Sequence, residues 1–154
     1  MRASPVRAAG RPRKGLAQHF LVDRGALARI VEAAELGPDD TIVEVGPGRG
    51  VLTRELAARA RRVIAVELDD ALCRELERET APLGNVTVVQ GNILDTDVAA
   101  LLAPSGGPPP SYKVVANIPY YITGAILRFF LEGAQRPSRL VLLVQKEVAQ
   151  SVAA

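Results

Sequence analysis

Thr41-Ile42-Val43-Glu44-Val45-Gly46-Pro47-Gly48-Arg49-Gly50 reads as a short apolar β-strand running into a glycine-rich turn. Helix-forming Val51-Leu52-Thr53-Arg54-Glu55-Leu56 follow directly. Gly46, Gly48 and Gly50 permit a backbone path that side chains would block, and let a ligand lie close against the main chain. The N-terminus of the following helix offers unpaired N–H groups to that ligand. The next apolar run, Arg62-Val63-Ile64-Ala65-Val66-Glu67, ends on an acidic residue. It lies roughly 20 positions past the first glycine, where a carboxylate that grips a ribose hydroxyl pair belongs. Together these segments outline a nucleoside-binding α/β domain.

Composition bounds the classes that remain. A chain of 154 residues, 48% of them hydrophobic, can bury one real core. No run approaches the roughly 18 to 20 apolar residues of a membrane helix. The single Cys73 excludes an internal disulfide framework, and one histidine leaves no zinc-ligand cluster, so no metal is expected. The N-terminus lacks a signal-peptide apolar core. A cytoplasmic setting without membrane contact is expected. Net charge is only +2, but Arg2, Arg7, Arg11, Arg13 and Lys14 all precede the first acidic residue, Asp23. Pro5, Gly10, Pro12 and Gly15 break any helix there, so residues 1–15 read as a flexible basic arm. Such an arm adds phosphate affinity or merely solubilises. Residues 16–154 are read as the folded domain.

Strands and helices alternate along the rest. Asp23 reads as the N-cap of a helix with Leu27, Ile30, Val31 and Ala34 on one face, ended by Gly37-Pro38. Leu52, Leu56 and Ala60 recur at helical spacing after the glycine turn. Asp69 or Asp70 caps a helix bearing Leu72, Cys73 and Leu76, and Cys73 falls on its apolar face as core. Val86-Thr87-Val88-Val89-Gln90 is a third strand, followed by Gly91-Asn92; Lys113-Val114-Val115-Ala116 is a fourth, running into Asn117-Ile118-Pro119-Tyr120-Tyr121. Thr123 opens a helix with Ile126, Leu127, Phe130 and Leu131. Arg139-Leu140-Val141-Leu142-Leu143-Val144 is a fifth strand, apolar enough to be expected buried on both faces. The alternation predicts a parallel sheet with helices on both sides, its ligand crevice at the strand C-terminal ends.

Which nucleoside is decided by spacing. The dinucleotide pattern G-x-G-x-x-G, counted from Gly46, needs glycine where Val51 stands. The spacing G-x-G-x-G after acidic Glu44 resembles the first motif of class I S-adenosylmethionine-dependent methyltransferases, a Rossmann-like fold. Asn117-Ile118-Pro119-Tyr120 carries the chemistry. An exocyclic aromatic amine is a poor nucleophile because its lone pair is delocalised into the ring. An amide oxygen from Asn117 and an adjacent backbone carbonyl can accept both amine hydrogens and draw the nitrogen towards tetrahedral geometry. Pro119 fixes the turn, and Tyr120 offers a face on which an extruded base stacks. Taken alone, Asn and Pro also simply terminate strands, and Gly91-Asn92 is also a good turn pair.

Gln18-His19-Phe20-Leu21, the Glu44–Gly50 loop, Val66-Glu67-Leu68-Asp69, Gly91-Asn92-Ile93-Leu94-Asp95, the Asn117 tetrad and Val144-Gln145-Lys146-Glu147-Val148-Ala149 appear in order. With them the chain resembles the small-subunit ribosomal RNA adenine dimethyltransferases. The resemblance implies N6,N6-dimethylation of two adjacent adenosines near the 3′ end of small-subunit rRNA, within a pre-ribosomal particle and by a monomer. S-adenosylmethionine would be the donor. Cofactor contacts fall on His19, Leu21, Gly46, Gly48, Gly50, Glu67, Asn92 and Asn117, and catalysis on Asn117, Ile118, Pro119 and Tyr120. The family usually has Asn at the position of His19 and Asp at that of Asn92. It also has further strands closing the sheet and a small helical C-terminal domain. Residues 16–154 are accordingly expected to be an incomplete catalytic domain, truncated before the final strands. Two other readings share these motifs: a large-subunit rRNA adenine methyltransferase of the macrolide-resistance type, and a non-catalytic nucleic-acid-binding factor on the same fold.

Overall fold

A computed structural model describes residues 24–143 of the chain. The basic arm, Asp23, His19, Leu21 and residues 144–154 lie outside the described residues. Within them run α1 (Arg24–Ala34), β1 (Thr41–Val45), α2 (Val51–Arg59), β2 (Arg62–Glu67), α3 (Asp70–Thr80), β3 (Val86–Gln90), α4 (Val98–Leu102), β4 (Lys113–Asn117), α5 (Thr123–Glu132) and β5 (Arg139–Leu143). All neighbouring strands pair in parallel, in the order β3-β2-β1-β4-β5.

Because side chains alternate across a strand, each central strand feeds two cores. Val43, Val45, Ile64, Val66, Val114 and Ala116 pack with Leu102, Tyr112, Ile126 and Phe130 on the face covered by α4 and α5. Ile42, Val63 and Val115 pack with Ile30, Ala34, Leu52, Leu56 and Ala57 of α1 and α2 on the other. β1 is buried along its whole length, which explains why Glu44, on the α2 side, has no access to water.

Caps set the helix boundaries. Asp69, not Asp70, caps α3 by accepting the Leu72 N–H at 3.0 Å. The C-terminal end of α1 is held by cations from the sheet: Lys113 Nζ donates to the carbonyls of Ala34 and Glu35 and to Asp40 Oδ2. Two expectations need correction. β5 is not buried on both faces; Leu140 to Leu143 are only half-buried, because β5 is the outermost strand among the described residues. Leu131 points outward, since only Thr123, Ile126 and Phe130 of α5 are buried.

Candidate functional site

The sheet register brings the separate motifs into one row. Val45 pairs with Val66 on one side and Ala116 on the other, so the next residues along, Gly46, Glu67 and Asn117, stand side by side at the carboxyl edge. Glu67 in turn pairs with Gln90, just before Gly91-Asn92. The strand order reverses between β1 and β4, and this is the point at which open α/β sheets leave a ligand crevice.

Gly46 is in the left-handed region (φ 73°), and a Cβ on it would lie 2.7 Å from the Asn117 carbonyl oxygen. Glycine is thus demanded twice, by conformation and by the approach of the tetrad backbone. Gly50 (φ 87°) starts α2 without a side-chain cap, leaving helix N–H groups directed at the loop. Beside it, Arg49 and Arg54 pair with Glu75 and Glu79 of α3 and tie the loop to that helix.

Glu67 is buried and already oriented. Its Oε1 accepts the Gly48 N–H at 3.2 Å and its Oε2 the Asp69 N–H at 2.8 Å. Each carboxylate oxygen keeps a further lone pair, which is what two vicinal ribose hydroxyls require. Cys73 lies buried behind, its thiol donating to the Glu67 carbonyl, and burial together with the surrounding carboxylates pushes the thiol above its usual range.

Glu44 is the residue whose environment the sequence did not reveal. Thr53 Oγ1 donates to its Oε1 at 2.5 Å, while among the described residues Oε2 has no hydrogen-bond partner. Burial pushes the Glu44 carboxyl up to about 8; the Thr53 hydroxyl opposes this and the charge of Glu67 adds to it. At neutral pH Glu44 is therefore a protonated, uncharged carboxyl enclosed within the sheet two residues before the glycine turn. Thr53 was missed as its partner. The available signal was a hydroxyl residue on the inward face of α2, one position after Leu52.

Asn117 is buried at the end of β4, and Ile118 packs its side chain into the α5-side core, so Ile118 can act on a ligand only through its backbone. Pro119 (φ −59°, ψ 143°) directs the chain into a single 3-10 turn, Tyr120–Ile122. Tyr120 is 46% exposed and its ring is open to solvent. Asn92 is exposed, and its side chain accepts the Leu94 N–H at 3.0 Å, capping the turn Ile93–Asp95. Of the predicted residues, the structure therefore groups Gly46, Gly48, Glu67 and Asn117 at one strand edge, whereas Gly50 packs against Leu76 of α3. Asn92 follows the neighbouring strand and Tyr120 rims the tetrad.

This sheet, with its glycine turn and acidic strand ends, has the class I methyltransferase-like fold. Residues 10–154 match the ribosomal RNA adenine dimethylase family, and the chain belongs to it. It is 51% identical over 144 residues to ribosomal RNA small subunit methyltransferase A of Dehalococcoides mccartyi, covering 94% of this chain and 48% of that protein. Among solved structures, the 23S rRNA methyltransferase ErmE is similar with a TM-score of 0.70 at 38% identity, over 83% of this chain and 48% of that one. A dimethyladenosine transferase from Plasmodium falciparum superposes with a TM-score of 0.71 at 28% identity, over 86% of this chain and 45% of that one. The chain thus spans about half the length of the relatives it matches.

The residues present fit S-adenosylmethionine, the cofactor of this class. Glu67 presents two oxygens for a ribose, and Gly46 and Gly48 carry the left-handed backbone of the turn beside it, Gly48 donating its N–H to Glu67. No helix among the described residues is long and apolar enough to cross a membrane.

Proposed function

We propose that this chain carries the catalytic part of an rRNA adenine N6,N6-dimethyltransferase. Its substrate would be two adjacent adenosines near the 3′ end of small-subunit rRNA in a pre-ribosomal particle. The observation that carries this reading is the contact of the glycine turn with the tetrad, Gly46 lying against the Asn117 carbonyl. A nucleoside cofactor held by Glu67 and a base held by Asn117 to Tyr120 then meet at one strand edge. S-adenosylmethionine supplies an electrophilic methyl group on its sulfonium. Asn117 and the adjoining backbone carbonyl accept the amine hydrogens, Pro119 fixes their direction, and Tyr120 stacks the extruded base. Most of the rate in such a site comes from positioning. The name of the small-subunit relative supports this choice of RNA at 51% identity, against 38% for the 23S enzyme.

The test is to incubate the complete protein that carries this chain with labelled cofactor and undermethylated small and large subunits, then map the modified bases. Dimethylated adjacent adenosines in small-subunit RNA are expected. Label in large-subunit RNA alone would move the protein to the macrolide-resistance type, and absence of cofactor binding would make it a non-catalytic factor. Asn117→Ala should lower kcat by roughly 100-fold or more while leaving RNA affinity within a few-fold, because its amide acts chiefly in the transition state.

A further inference from the structure

The chain has three tyrosines, three phenylalanines and no tryptophan. Tyr112 and Phe130 are buried, and Phe129 packs against the same core. Against that scarcity, Tyr120 and Tyr121 stand side by side at 46% and 54% exposure. The 3-10 turn that carries them is closed by the Ile122 N–H donating to the Pro119 carbonyl at 3.2 Å. Ile122 turns back against the core, while Tyr120 and Tyr121, three and four residues past Asn117, stay at the surface. Their centroids are 5.9 Å apart and their planes lie at 87°.

That angle has a consequence for a bound strand. Neighbouring bases in a stack are parallel, whereas two bases laid on these two rings would be nearly perpendicular. The pair therefore suits a target base taken out of the stack and its neighbour held aside from it. We propose that Tyr121 is a second base-stacking residue, taking the nucleobase next to the target while Tyr120 takes the target itself. The inference rests on the RNA-methylation reading of this site and adds a positioning residue for the flanking nucleotide.

The experiment uses the complete protein and a small-subunit rRNA fragment spanning the two adenosines. In one version the base next to the target is 2-aminopurine, and in a second that nucleotide is abasic. With the 2-aminopurine RNA, wild type and Tyr121→Phe should quench the fluorescence alike on binding, and Tyr121→Ala should not. Tyr121→Ala should bind the intact fragment about 5- to 150-fold more weakly, the range that loss of one stacked base corresponds to. It should bind the abasic fragment as wild type does, because the partner base is already gone. S-adenosylmethionine affinity should be unchanged in both variants, which reports an intact fold. Equal weakening by Tyr121→Ala on intact and abasic RNA would overturn the assignment. If wild-type protein binds and methylates RNA while the cycle is additive, only the role of Tyr121 fails. If wild type neither binds nor methylates, the RNA-methylation reading fails and this role with it.

Discussion

Glu44→Gln should make the protein more stable, and increasingly so as pH rises. In the unfolded chain this carboxyl ionises near 4.5, and in the folded protein burial holds the proton until about 8. Between those values the unfolded state has lost the proton that the native state keeps. The unfolded state then binds fewer protons, so stability falls with rising pH across this window and levels off above it. At ~1.4 kcal/mol per pH unit, the full window corresponds to about 5 kcal/mol, a large part of the ~5 to 15 kcal/mol total of a typical domain. Glutamine keeps the shape and an oxygen to accept from Thr53, and its NH2 stands where the protonated carboxyl would carry its O–H. Wild type and variant should therefore agree within about 1 kcal/mol at pH 5. Urea unfolding at pH 5, 6.5 and 8 checks this: the variant should gain on wild type by ~1 kcal/mol or more per pH unit, approaching about 4 kcal/mol at pH 8. Parallel stability curves for the two proteins would refute the buried, proton-holding carboxyl.

Other substitutions test the crevice directly. Glu67→Gln replaces one acceptor oxygen by a donor facing the Gly48 or Asp69 N–H or a ribose hydroxyl, so S-adenosylmethionine affinity by calorimetry should fall roughly 10- to 100-fold; unchanged affinity would remove Glu67 from the site. Gly46→Ala forces a left-handed alanine, at ~1 to 2 kcal/mol, and drives its Cβ against the Asn117 carbonyl. Thermal unfolding should show that loss, and methyl transfer should fall further than stability does; a fully active, equally stable variant would contradict the close approach. Asn92→Asp keeps the oxygen that caps Ile93–Asp95 and supplies the carboxylate usual in the family, so cofactor binding should tighten a few-fold. Unchanged affinity would show that Asn92 acts only as a cap.

Local order was legible in the residues themselves. The strand–turn–helix around Gly46, the acidic end of β2 and the Asn-Pro turn after β4 are set by periodicity, glycine placement and proline geometry, which act over a few residues. Cys73 behaved likewise: its place on the apolar face of α3 followed from helical spacing, and it is buried there. What those signals could not supply was neighbourhood across the sheet. Nothing local says that β4 inserts beside β1, yet that pairing sets Asn117 against Gly46 and turns two motifs into one crevice. The same pairing buries β1 on both faces and deprives Glu44 of water, leaving Thr53 as its hydrogen-bond donor. An apolar run such as β5 looks like a central strand from its composition, but exposure depends on whether a neighbour lies on each side. Backbone propensity is a property of a segment, whereas strand order, the depth of a carboxylate and the angle between two rings are decided by residues distant in the chain packing against one another.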